Sequence, residues 1–157
     1  MKFSEYAYKR PVFEEVKEQQ LKLIAELGCA ESFGQAEKTF LECEKLKRSV
    51  NTMATLASIR FTLNTADEFY KAEQDYWDET GPLLAELEVK MRAALLASPF
   101  KADFEKKYGE MLIKNADLAV KSMTPELIPL MQEENKLNSE YSALTSSMSV
   151  TFQGEEC

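Results

Sequence analysis

Phe33, Ala36, Phe40, Cys43, Lys47, Val50, Ala54, Ala57 and Phe61 follow one another at alternating steps of three and four residues, with no proline among them. That spacing holds one face of an α-helix through roughly eight turns. A helix so long needs apolar partners along its whole length, so the rest of the chain must supply other helices to cover it. From Leu46 a second stripe begins (Leu46, Met53, Leu56, Leu63), which predicts burial on more than one side toward the C-terminal half.

The flanking sequence supplies those helices. Pro11 suits a first helical position, and Phe13, Val16, Gln20, Leu23, Ile24 and Leu27 recur behind it until Gly28 ends the run. Asn64-Thr65-Ala66-Asp67 reads as a turn in which Thr65 or Asp67 caps the next helix. That helix places Tyr70, Glu73, Trp77, Thr80, Leu84, Leu87, Met91 and Leu95 on one face, with Gly81-Pro82 predicting a kink or break midway. Ser98-Pro99 opens a short helix bearing Phe100 and Phe104, Gly109 punctuates it, and another helix runs over about 110–121. Thr124-Pro125-Glu126 starts a last helix whose seam is Leu127, Leu130, Met131, Glu134, Leu137, Tyr141, Leu144 and Met148. The expected fold is all-α: an antiparallel array or bundle of five or six helices over 1–148, followed by a strand-like tail over 149–157. Ser149-Val150-Thr151-Phe152-Gln153 alternates like a strand, yet nothing else in the chain reads as a strand to pair with it.

Composition bears on function mainly by exclusion. The chain has 157 residues, 19 Lys+Arg against 27 Asp+Glu, and no histidine. The formal charge of −8 disfavours nucleic-acid and anionic-membrane partners, which are met by basic faces. Without histidine there is no Glu-x-x-His di-iron motif, no Cys–His or Ser–His nucleophile pair and no usual zinc site. Cys29, Cys43 and Cys157 lack Cys-x-x-Cys spacing and fit reduced thiols in a cytoplasmic protein. No basic segment followed by an apolar one opens the chain, and the apolar stretch 50–63 is too short and polar to span a bilayer.

The acids Asp75, Asp78, Glu79, Glu133 and Glu134 read as solvated faces. Glu73 and Glu134, on otherwise apolar seams, are expected to pair with Lys47 or Arg60 inside the bundle, with a place facing a cleft as the other reading. Phe69, Tyr70, Tyr76 and Trp77 read as core, with the floor of a ligand pocket as the other reading. Lys101, Lys106 and Lys107 make only a small basic cluster. No catalytic, cofactor-binding or metal-binding residue can be named.

Several separated segments nonetheless resemble one family in the same order: MKFSEYAYKRP at 1–11, TMATLASIRFTLNTADEFYKAE at 52–73, Gly81-Pro82-Leu83-Leu84, Ser98-Pro99-Phe100 and Glu133-Glu134-Asn135-Lys136-Leu137. They are similar to the N-terminal region of bacterial oligoendopeptidase F-type enzymes, of the thimet-like zinc oligopeptidases. Asn64 departs from that family's more frequent Asp. The resemblance implies a longer helical enzyme that cleaves short peptides in a deep channel, with zinc held by two His and a downstream Glu, and water activated by the Glu of His-Glu-x-x-His. None of those positions exists here. The resemblance therefore implies a non-catalytic segment that walls or caps the channel, with the catalytic domain as its partner and the tail pairing there. A free-standing helical interaction module without activity is the alternative, and a cut-out domain is expected to self-associate through exposed apolar surface.

Overall fold

In a computed structural model, residues 5–149 are described in full and residues 151–152 and 155–156 by their backbone. Six helices are seen among them: α1 (Phe13–Gly28), α2 (Phe33–Leu63), α3 (Glu68–Ala97), α4 (Lys101–Tyr108), α5 (Glu110–Ser122) and α6 (Leu127–Ser146). Local chemistry accounts for the ends. Ser32 accepts from the Gln35 N–H and Gln35 Oε1 accepts from the Glu31 N–H, a reciprocal cap on α2. Asp67, not Thr65, caps α3 by accepting from the Phe69 and Tyr70 N–H groups. Asn64 takes up the turn before it, its Oδ1 accepting from the Ala66 N–H, so the departure from Asp keeps the needed acceptor. Pro11 lies outside α1, and Gly28 is the last helical residue of that helix. Gly109 has φ +88°, the left-handed region open to glycine, and turns the chain between α4 and α5.

The seam of α2 is a core seam as its spacing predicts: Ala36, Phe40, Cys43, Val50, Ala57 and Phe61 are all buried. All but Phe61 fall into two apolar clusters. Leu23, Leu27, Phe40, Met91, Leu95 and Phe104 belong to the larger one, which joins α1, α2, α3 and α4 and is extended by Ile113 and Ala116 of α5. Val16, Val50, Ala57 and Trp77 form the smaller. The start of α1 thus meets the second half of α2 and the first half of α3, while the end of α1 meets the first half of α2. That is an antiparallel three-helix core, with α4 and α5 closing one end. Lys47, the one lysine in the seam, reaches Glu88 of α3 at 2.7 Å. The second stripe is buried at Leu56 only, and Leu63 at its end is 75% exposed.

Pro82 does not break α3, which runs on through 30 residues with Pro82 buried. A proline removes the bond to the carbonyl four residues back, here that of Asp78, and its ring crowds the same carbonyl. The Asp78 carbonyl accepts instead from Asn135 Nδ2 at 3.3 Å, and the next carbonyl, on Glu79, accepts from Gln132 Nε2 at 2.7 Å, both amides from α6. Side-chain amides of a neighbouring helix thus repair the ladder.

The tail departs from the expected single strand. Thr151–Phe152 pairs antiparallel with Glu155–Glu156, two residues each, Thr151 opposite Glu156 and Phe152 opposite Glu155. The rest of the anticipated strand, at Val150 and Gln153, and Cys157 lie outside the described residues.

Candidate functional site

Three features of the surface are organised enough to carry a function. The first is the N-terminal strap. Glu73, 4% exposed, accepts from Arg10 Nε at 2.8 Å and Arg10 Nη2 at 2.5 Å, and Tyr8 donates its hydroxyl to the same carboxylate. Tyr8 in turn accepts from Trp77 Nε1 at 3.1 Å, and Tyr76 donates to the Pro11 carbonyl at 2.7 Å. The Arg10 guanidinium also lies 4.6 Å from the Tyr76 ring centroid. Burial pushes the Glu73 carboxyl up, but the bonds from Arg10 and Tyr8 outweigh it and hold the group below the usual carboxylate range. Burial and the Glu73 bond push the Tyr8 hydroxyl up to about 12. Glu73 is therefore a satisfied structural anion. It pairs inside the fold as its position on the seam suggested, but with Arg10 rather than Lys47 or Arg60.

Beside the strap lies an open depression of about 650 Å³ lined by Tyr6, Tyr8, Arg60, Leu63, Phe69 and Tyr70, among others. Arg60 donates to the Tyr70 hydroxyl at 2.7 Å and to the Tyr6 carbonyl at 2.5 Å. The aromatic quartet divides accordingly. Trp77 is core, Tyr76 is half-buried against the strap, and Tyr70 and the 56%-exposed Phe69 line the depression.

The third feature is the seam between α3 and α6. Asp78 is 6% exposed, so it is not the solvated acid its neighbours Asp75 and Glu79 are. It accepts from Gln74 Nε2 at 2.8 Å and from Ser139 Oγ at 2.6 Å. Together with the Asn135 and Gln132 amides on the Asp78 and Glu79 carbonyls, these bonds make the contact of α6 largely polar. No residue of α6 is buried. Its apolar seam faces the other way: Leu130, Leu137, Tyr141 and Leu144 are 60, 58, 67 and 62% exposed, and Met148, two residues past its end, is 68% exposed. Glu134, expected to pair inside the bundle, is exposed on that outward side.

Other candidates are used up locally. Lys107 pairs with Glu37 at 2.5 Å, and Tyr108 donates to the same carboxylate, fastening α4 to α2. Burial pushes the Cys43 thiol up to about 11, so it is an inert core group. Cys29 is a free, exposed thiol. No group of three or more His, Cys, Asp or Glu side chains is placed to hold a metal ion among the described residues.

A helical body with a pinned N-terminal strap and a polar-docked α6 defines the class, a helical domain. Comparison with known proteins says which. The family model described as the Peptidase M3 N-terminal domain matches residues 3–123. The chain therefore belongs to the M3 peptidase family, as its N-terminal domain. Three solved structures are similar over essentially all of it. One described as an oligoendopeptidase F, solved at 3.1 Å, is 38% identical, with TM-score 0.96 over 100% of this chain and 28% of its own. PZ peptidase A, solved with an inhibitor, is 36% identical with TM-score 0.95, over 99% of this chain and 28% of its own. A protein described as an oligoendopeptidase F from Bacillus anthracis str. Ames is 35% identical with TM-score 0.95, over 99% and 29% respectively. No curated protein matches. The chain thus spans a little over a quarter of the length of these relatives.

Proposed function

We propose that this chain is the non-catalytic N-terminal domain of a longer zinc-dependent oligoendopeptidase that cleaves short peptides, and that it walls or caps the substrate channel. The observation that carries the reading is the combination of near-complete similarity on this side with about a quarter coverage on the other. The chain reproduces the helical start of oligoendopeptidase F-like structures, at TM-scores of 0.95–0.96, without the remaining length. Its own residues do not fit zinc. Histidine is absent, and the carboxylates of Glu73, Glu88, Glu37 and Asp78 are spent on Arg10, Lys47, Lys107 and Ser139. Metal ligands and the water-activating base belong to the catalytic part, which is this domain's partner.

In this reading residues 1–148 are the helical domain and 149–157 lead into the catalytic part, where Thr151 and Phe152 add to a larger sheet. The protein works in the cytoplasm, where the free Cys29 and Cys43 stay reduced. No helix of the described residues is long and apolar enough to cross a membrane. No observation favours a free-standing interaction module over this reading.

The reading frame beyond Cys157 tests it. We expect it to continue for several hundred codons and to encode His-Glu-x-x-His with a downstream Glu. A natural stop at that point, with no such sequence nearby, removes the reading.

A further inference from the structure

The helix α6 is inside out. Of its seven half-buried positions four are polar, Gln132, Asn135, Ser139 and Ser142, beside Ile128, Met131 and Ala143, where a bundle helix normally carries mostly Leu. On the side that meets water it carries Leu130, Leu137, Tyr141 and Leu144, each 58–67% exposed. The outward residues 127, 130, 134, 137, 141, 144 and 148 step by three and four, the 3.5-residue period of a seam that receives one other helix along its length.

We propose that this outward face of α6 is the seat of a helix from the polypeptide that follows residue 157 in the longer protein, one whose apolar stripe is edged by Lys or Arg. The proposal rests on the functional reading above. Three observations select that occupant. The matched N-terminal domain ends at residue 123, immediately before α6, so α6 lies outside the unit that the family model describes. The solved relatives have more than three times this chain's length, and that surplus is available to cover the face. The seam is also predominantly acidic: Glu134 interrupts the apolar run, and Glu133 and Glu140 lie along one edge of it, with Lys136 the one cation further round the same side. An acidic edge pairs with a basic one and repels a second α6, which disfavours a symmetric homodimer. The helix then acts as a two-faced spacer, held to the N-terminal body by hydrogen bonds and to the catalytic part by apolar packing.

Thiol accessibility tests this. In a background with Cys29→Ser and Cys157→Ser, Leu137→Cys and, independently, Tyr141→Cys are reacted with a maleimide reagent, in the 157-residue chain and in the polypeptide encoded by the whole reading frame. Lys114→Cys on α5, whose side chain is 62% exposed, serves as the control. Both α6 thiols should react roughly 100-fold more slowly in the longer polypeptide, because reaction there requires the halves to separate, while the control thiol reacts equally in both. Equal reactivity of the α6 thiols in a longer polypeptide that hydrolyses peptides overturns the docking face and leaves the functional reading intact. Protection in a longer polypeptide that hydrolyses nothing keeps the docking face and removes the functional reading. Protection that rises with concentration in the 157-residue chain to match the longer one makes a second copy the occupant, and overturns the choice made here.

Discussion

Replacing Arg10 by Ala should detach the strap from α3. Glu73 is 4% exposed, and the guanidinium supplies two of its three hydrogen bonds, at 2.5 and 2.8 Å. Removing one partner of a buried pair typically costs about 3–5 kcal/mol, since the remaining charge is left uncompensated. The Arg10 side chain is 43% exposed, so solvent already screens the pair, and a loss of about 2 kcal/mol is the reasonable figure. Glu73→Gln keeps an acceptor for Tyr8 and lets the freed guanidinium return to water, for a loss of about 1 kcal/mol. The double variant should then lose about 2 kcal/mol rather than the sum of about 3, a coupling of about 1 kcal/mol in the cycle. Urea unfolding at pH 7 measures all three. Trp77, the only tryptophan, donates to Tyr8, so its native emission reports the strap directly and should move to longer wavelength in Arg10→Ala. An Arg10→Ala loss below about 0.5 kcal/mol, with Trp77 emission unchanged, would refute the claim that the strap is anchored through Glu73.

The same cluster gives opposite pH dependences at the two ends of the scale. Glu73 has a depressed carboxyl pKa in the fold, so its contribution is present above the ordinary carboxylate value and is lost as pH falls through the folded one; stability of the wild type should drop more steeply in acid than that of Glu73→Gln. Tyr8 is raised from 10.0 to about 12, so stability should fall as pH rises from 10 to 12, and Tyr8→Phe should flatten that limb; the Trp77 signal across an alkaline titration checks it. In the α3–α6 seam, Asn135→Ala should cost about 1 kcal/mol in the wild type. It should cost less in Pro82→Ala, whose restored N–H can bond the Asp78 carbonyl, as a thermal double-mutant cycle would show. Phe104, fully buried against the Phe33 and Phe40 rings at 5.1 and 5.3 Å, should lose about 3–5 kcal/mol on truncation to Ala, measured by denaturant unfolding.

Periodicity reported the core well where apolar spacing and burial coincide. The α2 seam and the α3 face containing Trp77, Leu87, Met91 and Leu95 are buried in the fold. It misled at α6, because spacing reveals that a helix has an apolar face and not which neighbour covers it. Leu137 and Tyr141 look as core-like in sequence as Leu87 does, yet they face outward. Nothing among the described residues covers them. Pro82 deceived in the other direction: the helix runs on through it, and the carbonyls before it take bonds from Asn135 and Gln132, fifty or more residues away and invisible to local reasoning. Asp78 was read as a solvated acid for the same reason, since its partner Ser139 is on α6. The pairing of Glu73 was legible as a kind of interaction. Its partner was not, because Arg10 sits on an irregular strap with no periodicity to place it.

The central claim is that these residues belong to a peptidase but do none of its chemistry. The direct measurement is hydrolysis of a quenched fluorescent peptide of about eight residues, with zinc added and with it chelated, by the purified 157-residue chain and by the polypeptide of the whole reading frame. The account predicts zinc-dependent cleavage by the longer polypeptide and none by the shorter at equal concentration. Zinc-dependent turnover by the 157-residue chain alone would contradict it.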